Sequence, residues 1–251
     1  MVANYDYVLE KCEAFCPHGL ILDYGCGGGE IVAAGRTKGF NIFGVEAFYK
    51  GGNSKEIAQK NGLLGQTVFE LIDGSIIPFE DEHFDFVISN QVFEHVENID
   101  HVLKEIIRIL KPDGYFLVLF PAREVIREGH CGIPMAHWFP RDSRFRYPYM
   151  RIMRGLGLGY FKTGKTQAVW VRDFMNWLDQ FTFYRPYSEI RSAFAKANLK
   201  VTHIEDDYIR FRLRRLGLNS LASILCVSPL QALARFACRR LGGMVILAKK
   251  N

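Results

Sequence analysis

Residues 22–30 read Leu-Asp-Tyr-Gly-Cys-Gly-Gly-Gly-Glu, and this stretch decides the fold. It follows the apolar run 20–22 and precedes residues 31–38, which we predict to be helical. A strand, a glycine turn and a helix in that order bring bare backbone close to a nucleotide-like ligand, because glycine lacks a Cβ and tolerates positive φ. Nineteen residues beyond Gly27, after a second strand-like run, stands Glu46. An acid at that distance can accept both hydroxyls of a ribose.

The glycine pattern distinguishes between two classes of nucleotide-binding enzyme. The dinucleotide fingerprint G-x-G-x-x-G is not completed, because its sixth position is Glu30, and this disfavours a nicotinamide or flavin enzyme. Residues 23–29 have instead the form D-x-G-x-G-x-G. Together with Glu46, that form resembles motif I and the acidic loop of the class I S-adenosylmethionine (SAM) methyltransferases.

Three further blocks extend this resemblance in the right order. Residues 73–79 read D-G-S-I-I-P-F after a third strand-like run, and residues 84–96 read F-D-F-V-I-S-N-Q-V-F-E-H-V. Residues 111–115, K-P-D-G-Y, then lead into a fifth strand-like run. The blocks resemble the adenine-contacting acid, the fourth-strand motif and the fifth-strand turn of the same family. The resemblance covers residues 19–120 well and the end of the chain more loosely.

The alternation of strand-like and helix-like runs predicts βαβ units and a parallel sheet. Together with the resemblance, it predicts an α/β fold of the Rossmann-like, doubly wound kind, with a mostly parallel seven-stranded sheet and an antiparallel last strand. We expect one domain over residues 1–251, with an acceptor-side insertion at 121–187 and a basic helical insertion at 207–242. Later elements are predicted as a helix at 188–197 capped by Ser188, a strand at 200–206, a helix opened by Ser228-Pro229 and a final strand at 244–248.

The resemblance implies a SAM site at the ends of the first four strands. Its predicted members are Asp23, Gly25 and Gly27 for the amino-acid end, Glu46 for the ribose hydroxyls, Asp73 and Gly74 for adenine, and Asn90 and Gln91 for the methionine side. Ordinary structural roles stay open beside these: a tight turn for the glycines, a solvated strand end for Glu46 and a turn residue for Asp73.

Methyl transfer from a sulfonium is a direct displacement, so much of its rate comes from holding donor and acceptor in line. A base is needed only where the acceptor must lose a proton. His95 follows the fourth strand, and His130 and His137 lie in the first insertion, so these three are the predicted catalytic residues. Packing or capping roles for each histidine remain alternatives.

A metal site is the weaker prediction at this position. Some relatives, the small-RNA and quinone-precursor methyltransferases, place a divalent metal on E-x-x-E-H with further histidines. Here the first acid of that motif is Gln91, and a neutral amide is a poorer ligand for a hard cation than a carboxylate. We therefore expect no metal.

Charge is divided unevenly along the chain. Residues 1–120 carry 9 Lys and Arg against 18 Asp and Glu, residues 121–187 carry 11 against 5, and residues 207–242 carry 7 against 1. Such asymmetry bears on partners rather than on fold. The first basic segment favours an anionic acceptor, although a solvated face is an equal alternative; its cations are Arg141, Arg144, Arg146, Arg151, Arg154, Lys162 and Lys165.

The helix predicted within 229–241 has Leu230, Leu233, Ala234, Ala237 and Leu241 on one face and arginines on the other. We expect the apolar face to pack on the domain, with peripheral contact to an anionic membrane as the alternative. The chain has no apolar run of about 18 residues, its N-terminus does not resemble a signal peptide, and its six cysteines lack paired spacing. These features predict a cytoplasmic protein with free thiols.

The predicted function is SAM-dependent methyl transfer to a small-molecule or lipid-like acceptor. Oxygen is the favoured target, because the N-P-P-[YF] signature for amino groups of bases is replaced by S-N-Q-V at 89–92. The same absence makes nucleic acid an unfavoured partner. An RNA or protein methyltransferase, or a non-catalytic partner protein of the same fold, remains an alternative.

Overall fold

The computed structural model describes residues 3–49, 52–73 and 75–251. Its centre is a seven-stranded sheet with strand order β3-β2-β1-β4-β5-β7-β6. The strands are β1 (Leu20–Tyr24), β2 (Asn41–Glu46), β3 (Val68–Glu70), β4 (Phe84–Asn90), β5 (Leu110–Phe120), β6 (Leu199–His203) and β7 (Met244–Lys250). The predicted fold class is confirmed, since β1 to β5 pair in parallel and β7 runs antiparallel to both β5 and β6.

Ten α-helices surround the sheet within the described ranges. They are α1 (Ala3–Phe15), α2 (Glu30–Thr37), α3 (Ser54–Lys60), α4 (Ile99–Ile109), α5 (Arg146–Gly155), α6 (Gln167–Phe181), α7 (Tyr187–Lys196), α8 (Glu205–Arg215), α9 (Asn219–Ile224) and α10 (Ser228–Leu241). The strand order changes direction at β1, which lies between β2 and β4. In open α/β sheets, ligands bind beyond the carboxyl ends of the strands at such a point.

The sheet is covered on both faces, which explains the apolar strands. Successive side chains of β1 enter different clusters: Ile21 packs on the α1 side and Leu22 on the α4 side. On β4, Phe86 and Ile88 pack on the α1 side of the sheet, whereas Val87 packs on the α4 side. This alternation follows from the two-residue period of a strand, and it requires apolar residues at consecutive positions.

Helix α1 is an element that sequence reasoning missed. It places Tyr7 and Cys12 in the core on the side of the sheet that α1 covers. It is held from the other side by α8, because Asp207 accepts hydrogen bonds from the Tyr7 hydroxyl (3.0 Å) and pairs with Lys11 (2.5 Å). These contacts link residues two hundred positions apart in the chain.

The first insertion has a small core of its own. Trp170 of α6 is fully buried together with Met150 of α5 and Cys131 of the preceding loop. The indole N–H of Trp170 donates to the Tyr160 carbonyl (2.8 Å), so its one polar group is satisfied. Burial of side chains of this size is worth about 1.5–3 kcal/mol each, enough to hold α5 and α6 as a folded unit.

Three predicted boundaries were wrong. Strand β6 ends at His203 rather than at 206, because the acidic residues from Glu205 onward begin α8, where carboxylates favour a helix N-terminus. Ser188 lies inside α7, and Pro186 takes the N-cap position. Ser228 is the first residue of α10 and makes no side-chain cap, while Val227 precedes it.

The orientation of α10 also differs from the prediction. Ala234 and Cys238 face the domain, whereas Leu233 and Leu241 are 62% and 70% exposed. Of the predicted apolar face, Ala234 therefore packs on the domain as expected, whereas Leu233 and Leu241 do not. Among the described helices, none combines the length and the apolar composition that crossing a bilayer would need.

Candidate active site

The glycine loop between β1 and α2 leaves backbone open to a ligand. Gly25 and Gly27 adopt φ of 76° and 57°, in the left-handed region that glycine tolerates best. The Gly25 N–H donates to the carbonyl of Val45 (2.8 Å), which ties the loop to β2. A Cβ added at Gly27 would meet no atom closer than 3.8 Å, so the space beside this residue is free.

Glu46 stands at the end of β2, where sequence reasoning expected it. Its Oε2 accepts the Gly27 N–H and its Oε1 accepts the Ala47 N–H, both at 2.8 Å. The carboxylate is therefore held in one orientation beside the glycine loop. It lines a cavity of about 890 Å³ that runs from Gly25 past Leu71 to the first insertion.

Asp23 ends β1 in a strongly perturbed environment. It is 1% exposed, and its Oδ2 has no hydrogen-bond partner in the described ranges. Burial raises the pKa of Asp23 to about 8, and the nearby carboxylates of Glu46 and Glu30 contribute. A buried carboxyl with an unused oxygen is costly unless a donor or a cation meets it. The ammonium group of an amino-acid ligand would satisfy that requirement.

A second cavity, of about 310 Å³, adjoins the first at Gly25. Asp23, Asn90 and Gln91 line it, as the sequence predicted for the methionine side. Asn4 of α1 lines it too, and its Nδ2 donates to Asn90 Oδ1 (3.1 Å). Sequence reasoning missed this contribution because α1 was not predicted.

The predicted adenine contacts are not brought together with the others. Asp73 is exposed at a turn with φ of 48°, and it lines neither cavity, whereas Leu71 and Ser75 line the larger one. Gly74 lies outside the described residues. The assignment of Asp73 to adenine stays a prediction.

His95 and His130 meet at the insertion side of the larger cavity. Their Nε2 atoms lie 3.2 Å apart, although the two residues come from the end of β4 and from the loop after β5. His95 Nδ1 lies 2.6 Å from the Phe181 carbonyl, and His130 Nδ1 lies 2.7 Å from Glu128 Oε1. A carbonyl and a carboxylate only accept hydrogen bonds, so both Nδ1 atoms carry the proton.

This arrangement leaves two Nε2 lone pairs facing one another. Such a pair is stable only when the two nitrogens share a proton or both bind one cation. Burial lowers the pKa of His95, so its Nε2 is free to accept a proton near neutral pH. The geometry therefore provides a base at this end of the cavity.

Two buried carboxyl groups lie beside the histidine pair, and their pKa values are shifted in opposite directions. Burial raises the pKa of Glu94 to about 7, and its Oε2 has no hydrogen-bond partner among the residues described. Burial would also raise the pKa of Glu128, but hydrogen bonds from His130, the Cys131 N–H and the Tyr184 hydroxyl outweigh it and lower the value to about 2. Glu128 is thus the anion that fixes the His130 ring.

Glu94, His95 and His130 together could hold a metal ion. One ligand atom from each lies within 4.8 Å of the others. The Glu128–His130 contact resembles the carboxylate–histidine pairs that orient metal-bound imidazoles. The sequence predicted no metal because Gln91 replaces the first acid of the motif, but the group of ligand atoms brought together here does not include that position.

His137 is separated from this pair. Its Nε2 lies 3.1 Å from the Arg123 carbonyl, and its ring packs 4.3 Å from the ring of Tyr184. It lines a third cavity of about 220 Å³ instead, and burial lowers its pKa to about 4. A direct role in proton transfer at the His95–His130 pair does not follow from this position.

The first insertion covers the larger cavity as predicted, through α6. Trp177, Gln180 and Phe181 line the cavity, and the Trp177 ring lies 4.8 Å from the ring of His130. Its basic residues lie elsewhere. Arg146 is buried in an ion pair with Asp179, and Arg141 lines the third cavity.

Comparison with known proteins relates residues 22–118 to methyltransferases. Residues 22–118 match the family model described as "Methyltransferase domain". The ubiquinone biosynthesis O-methyltransferase of Rickettsia prowazekii (strain Madrid E) is 37% identical over 103 residues, covering 39% of this chain and 38% of that protein. A sterol 24-C-methyltransferase of Schizosaccharomyces pombe is 32% identical over 117 residues, covering 46% of this chain and 31% of that protein. The matches thus span well under half of these relatives.

Solved structures share the fold over the whole chain at low identity. A SAM-dependent methyltransferase from Mesorhizobium loti superposes with a TM-score of 0.55 at 14% identity, covering 99% of this chain and 98% of that one. Another is the geranyl diphosphate C-methyltransferase from Streptomyces coelicolor A3(2), in complex with Mg²⁺, geranyl-S-thiolodiphosphate and S-adenosyl-L-homocysteine. It superposes with a TM-score of 0.51 at 17% identity, covering 99% of this chain and 76% of that one.

Proposed function

We propose that this chain, whose residues 22–118 match a family model described as "Methyltransferase domain", transfers the methyl group of SAM to an oxygen of a small-molecule or lipid-like acceptor. The observation that carries the proposal is the position of the His95–His130 pair. His95 lines the same cavity as Glu46 and Gly25, at its insertion end, and the His130 Nε2 lies 3.2 Å from the His95 Nε2. Cofactor and proton acceptor thus share one space.

The chain's residues fit the cofactor. Asp23, with its unpartnered buried oxygen, would receive the ammonium of the methionine portion, and Gly27 would present bare backbone to it. Glu46 would accept the ribose hydroxyls. Asn90 and Gln91 would line the methionine side. Leu71 and Val102, which line the larger cavity, would enclose adenine. SAM supplies a methyl group on a positively charged sulfur.

The proposed step moves one methyl group and one proton. The acceptor oxygen attacks the methyl carbon, the carbon–sulfur bond breaks, and sulfur keeps its electron pair. The hydroxyl proton passes to Nε2 of His95, whose Nδ1 already donates to the Phe181 carbonyl. His130 lies 3.2 Å beyond and can share the proton, with Glu128 stabilising the resulting charge.

A lipid-like or aromatic acceptor suits the walls of the cavity. Trp177, Phe181 and Phe183 supply aromatic surface beside His95. The relatives of similar sequence are named for ubiquinone and sterol methylation, which supports an apolar acceptor. Arg123 and Arg141 line the adjoining third cavity, so an anionic group on the acceptor stays part of the proposal.

A second candidate is a metal-assisted form of the same transfer. Glu94 Oε2, which has no hydrogen-bond partner among the described residues, and the two facing imidazole nitrogens are suitable ligands for a divalent cation. They fit such a cation better than the sequence indicated, where Gln91 replaces the first acid of the metal-binding motif. Such a cation would lower the pKa of a bound hydroxyl group. His95 and His130 would then be ligands rather than the base.

The test uses labelled SAM with hydroxylated, prenylated phenols as acceptors. We expect His95→Asn to lower kcat by about 10²- to 10⁴-fold with an unchanged Kd for SAM. His18→Asn, at an exposed loop position, is the matched control and should leave both unchanged. Full activity in His95→Asn would refute the base.

Two further measurements separate the alternatives. Loss of activity in a chelator and recovery with a divalent cation would favour the metal-assisted form. Salt-sensitive binding of polynucleotides would favour an RNA methyltransferase. SAM binding without label transfer to lipid, saccharide, RNA or protein fractions of a lysate would favour a non-catalytic partner protein.

A further inference from the structure

Helix α10 exposes large apolar side chains to solvent and directs arginines toward the domain. Leu233, Phe236 and Leu241 point outward and are 58–70% exposed. A helix on the surface of a globular protein normally places such residues toward the core and charged residues outside. The exposed apolar face therefore needs an explanation outside the domain's own packing.

The inward side of α10 is held by arginines instead. Arg235 pairs with Asp206 (2.6 Å) and Arg239 pairs with the fully buried Glu205 (2.8 Å). These acids belong to α8, which itself packs on α1 through Asp207. The ion pairs fix the orientation of α10, so its outward apolar face is a built feature of the fold.

The exposed apolar surface continues from α10 into the preceding helix. Residues 216–234 form a stretch of 19 residues without a single charged side chain. It folds as α9, a short turn and the first half of α10, and we name this stretch the apolar hairpin. Its exposed large side chains are Leu216, Leu218, Leu221, Ile224, Val227 and Leu233.

Both ends of the apolar hairpin carry arginines; Arg214, Arg215, Arg235 and Arg239 pair with acids, but two others do not. Arg212 precedes it and Arg240 follows it, and neither has an acidic partner within the described part of the chain. Residues 208–251 contain no Asp or Glu at all. An uncharged apolar tip flanked by arginines matches a bilayer interface, where apolar side chains enter the acyl region and guanidinium groups stay at the phosphates.

We propose that the apolar hairpin inserts into the surface of an anionic phospholipid bilayer, with Arg212 and Arg240 at the level of the headgroups. The occupant is a membrane rather than a protein, because the hairpin itself carries no charge and the two cations at its ends that lack acidic partners among the described residues, Arg212 and Arg240, are free to meet lipid phosphates. This surface does not depend on methyl transfer, so each proposal can fail without the other.

The chain offers a selective probe for this insertion. Cys226 lies between α9 and α10 and is exposed, whereas the other five cysteines are buried. Labelled there with an environment-sensitive fluorophore, the protein should show a blue shift with vesicles of phosphatidylcholine and phosphatidylglycerol. Binding to pure phosphatidylcholine vesicles should be weaker, and added salt should weaken binding to the anionic vesicles.

The variant Leu221→Ser/Ile224→Ser/Val227→Ser tests the surface directly. Three exposed side chains at roughly 1 kcal/mol each correspond to a loss of vesicle affinity on the order of a hundredfold. The control Ile152→Ser/Leu156→Ser removes exposed apolar residues at the C-terminal end of α5 and should bind vesicles as the native chain does. Thermal unfolding and SAM binding should be unchanged in both.

Three results would overturn the proposal. One is an unshifted Cys226 fluorophore in the presence of anionic vesicles. Another is equal vesicle binding by the triple variant and the native chain. The third is self-association of the native chain that the triple variant abolishes without any vesicle binding, since the occupant would then be a second copy.

Discussion

Replacement of Glu46 by alanine should weaken SAM binding by about two orders of magnitude while the chain still folds. The carboxylate ends β2 and holds two backbone N–H groups, those of Gly27 and Ala47, at 2.8 Å each. These bonds keep the side chain beside the glycine loop before any ligand arrives. The ribose would therefore meet an acceptor that needs no reorientation.

The expected magnitude follows from two hydrogen bonds to one charged group. Bonds to an ionised partner contribute about 1.5–3 kcal/mol each, so the loss of both ribose contacts is worth about 3 kcal/mol, or roughly 150-fold in Kd. Glu46→Gln keeps one acceptor oxygen and should lose only about tenfold. The alanine variant also leaves the Gly27 N–H without its partner, which lowers stability by about 1 kcal/mol.

Calorimetric titration with SAM measures this directly, with thermal unfolding to confirm that each variant is folded. Glu70→Ala is the matched control, because Glu70 is the register partner of Glu46 on β3 but is exposed and pairs with Lys55. It should bind SAM as the native chain does. A Kd for Glu46→Ala within about twofold of the native value would refute the ribose assignment.

Three more outcomes are expected. The pKa of Asp23 lies at about 8 in the fold and at 3.8 ordinarily, so the ligand-free chain should lose stability as pH rises through that window, with Asp23 contributing up to about 1.4 kcal/mol per pH unit. Glu94, whose pKa is raised to about 7, adds a slope of the same sign, so Asp23→Asn should make the slope in denaturant titrations shallower by about that amount without removing it. A slope as steep in the variant as in the native chain would contradict this. Trp177→Ala should raise the KM for the acceptor by about tenfold and leave the affinity for SAM unchanged, because the Trp177 ring borders His130 rather than the glycine loop. An equal loss of affinity for SAM and for the acceptor would argue against this role of Trp177. Asp207→Ala removes the partner of Tyr7 and should cost about 1–3 kcal/mol in thermal unfolding, and an unchanged melting temperature would show that α8 does not hold α1.

Much of the cofactor side was predictable from local pattern. Asp23, Gly25 and Glu46 sit at strand ends or in the turn after one, and the carboxyl ends of neighbouring parallel strands necessarily meet. Asp73 was less predictable, since a turn residue before a glycine looks the same in sequence whether its side chain faces a ligand or solvent. The structure leaves it exposed.

The acceptor side and the second insertion were harder, because both depend on contacts between distant segments. Of three candidate histidines, the structure joins His95 with His130 and sends His137 to another cavity. The helical wheel of α10 placed its apolar face against the domain, but the buried acids of α8 attract its arginines instead. A wheel records periodicity only and does not say which neighbour offers the stronger partner.

The strands β1 to β5 with the helices between them, the glycine loop and the acid that follows it were specified by sequence alone, since these follow from short-range periodicity and from the backbone freedom of glycine. Only the tertiary structure decided that residues 35 positions apart would bring two imidazole lone pairs face to face. It also decided that α1 would line the cavity of about 310 Å³ beside Asp23 and that α10 would expose Leu233 and Leu241. Burial and charge pairing select among arrangements that the local pattern allows equally, and they act only once the chain has folded.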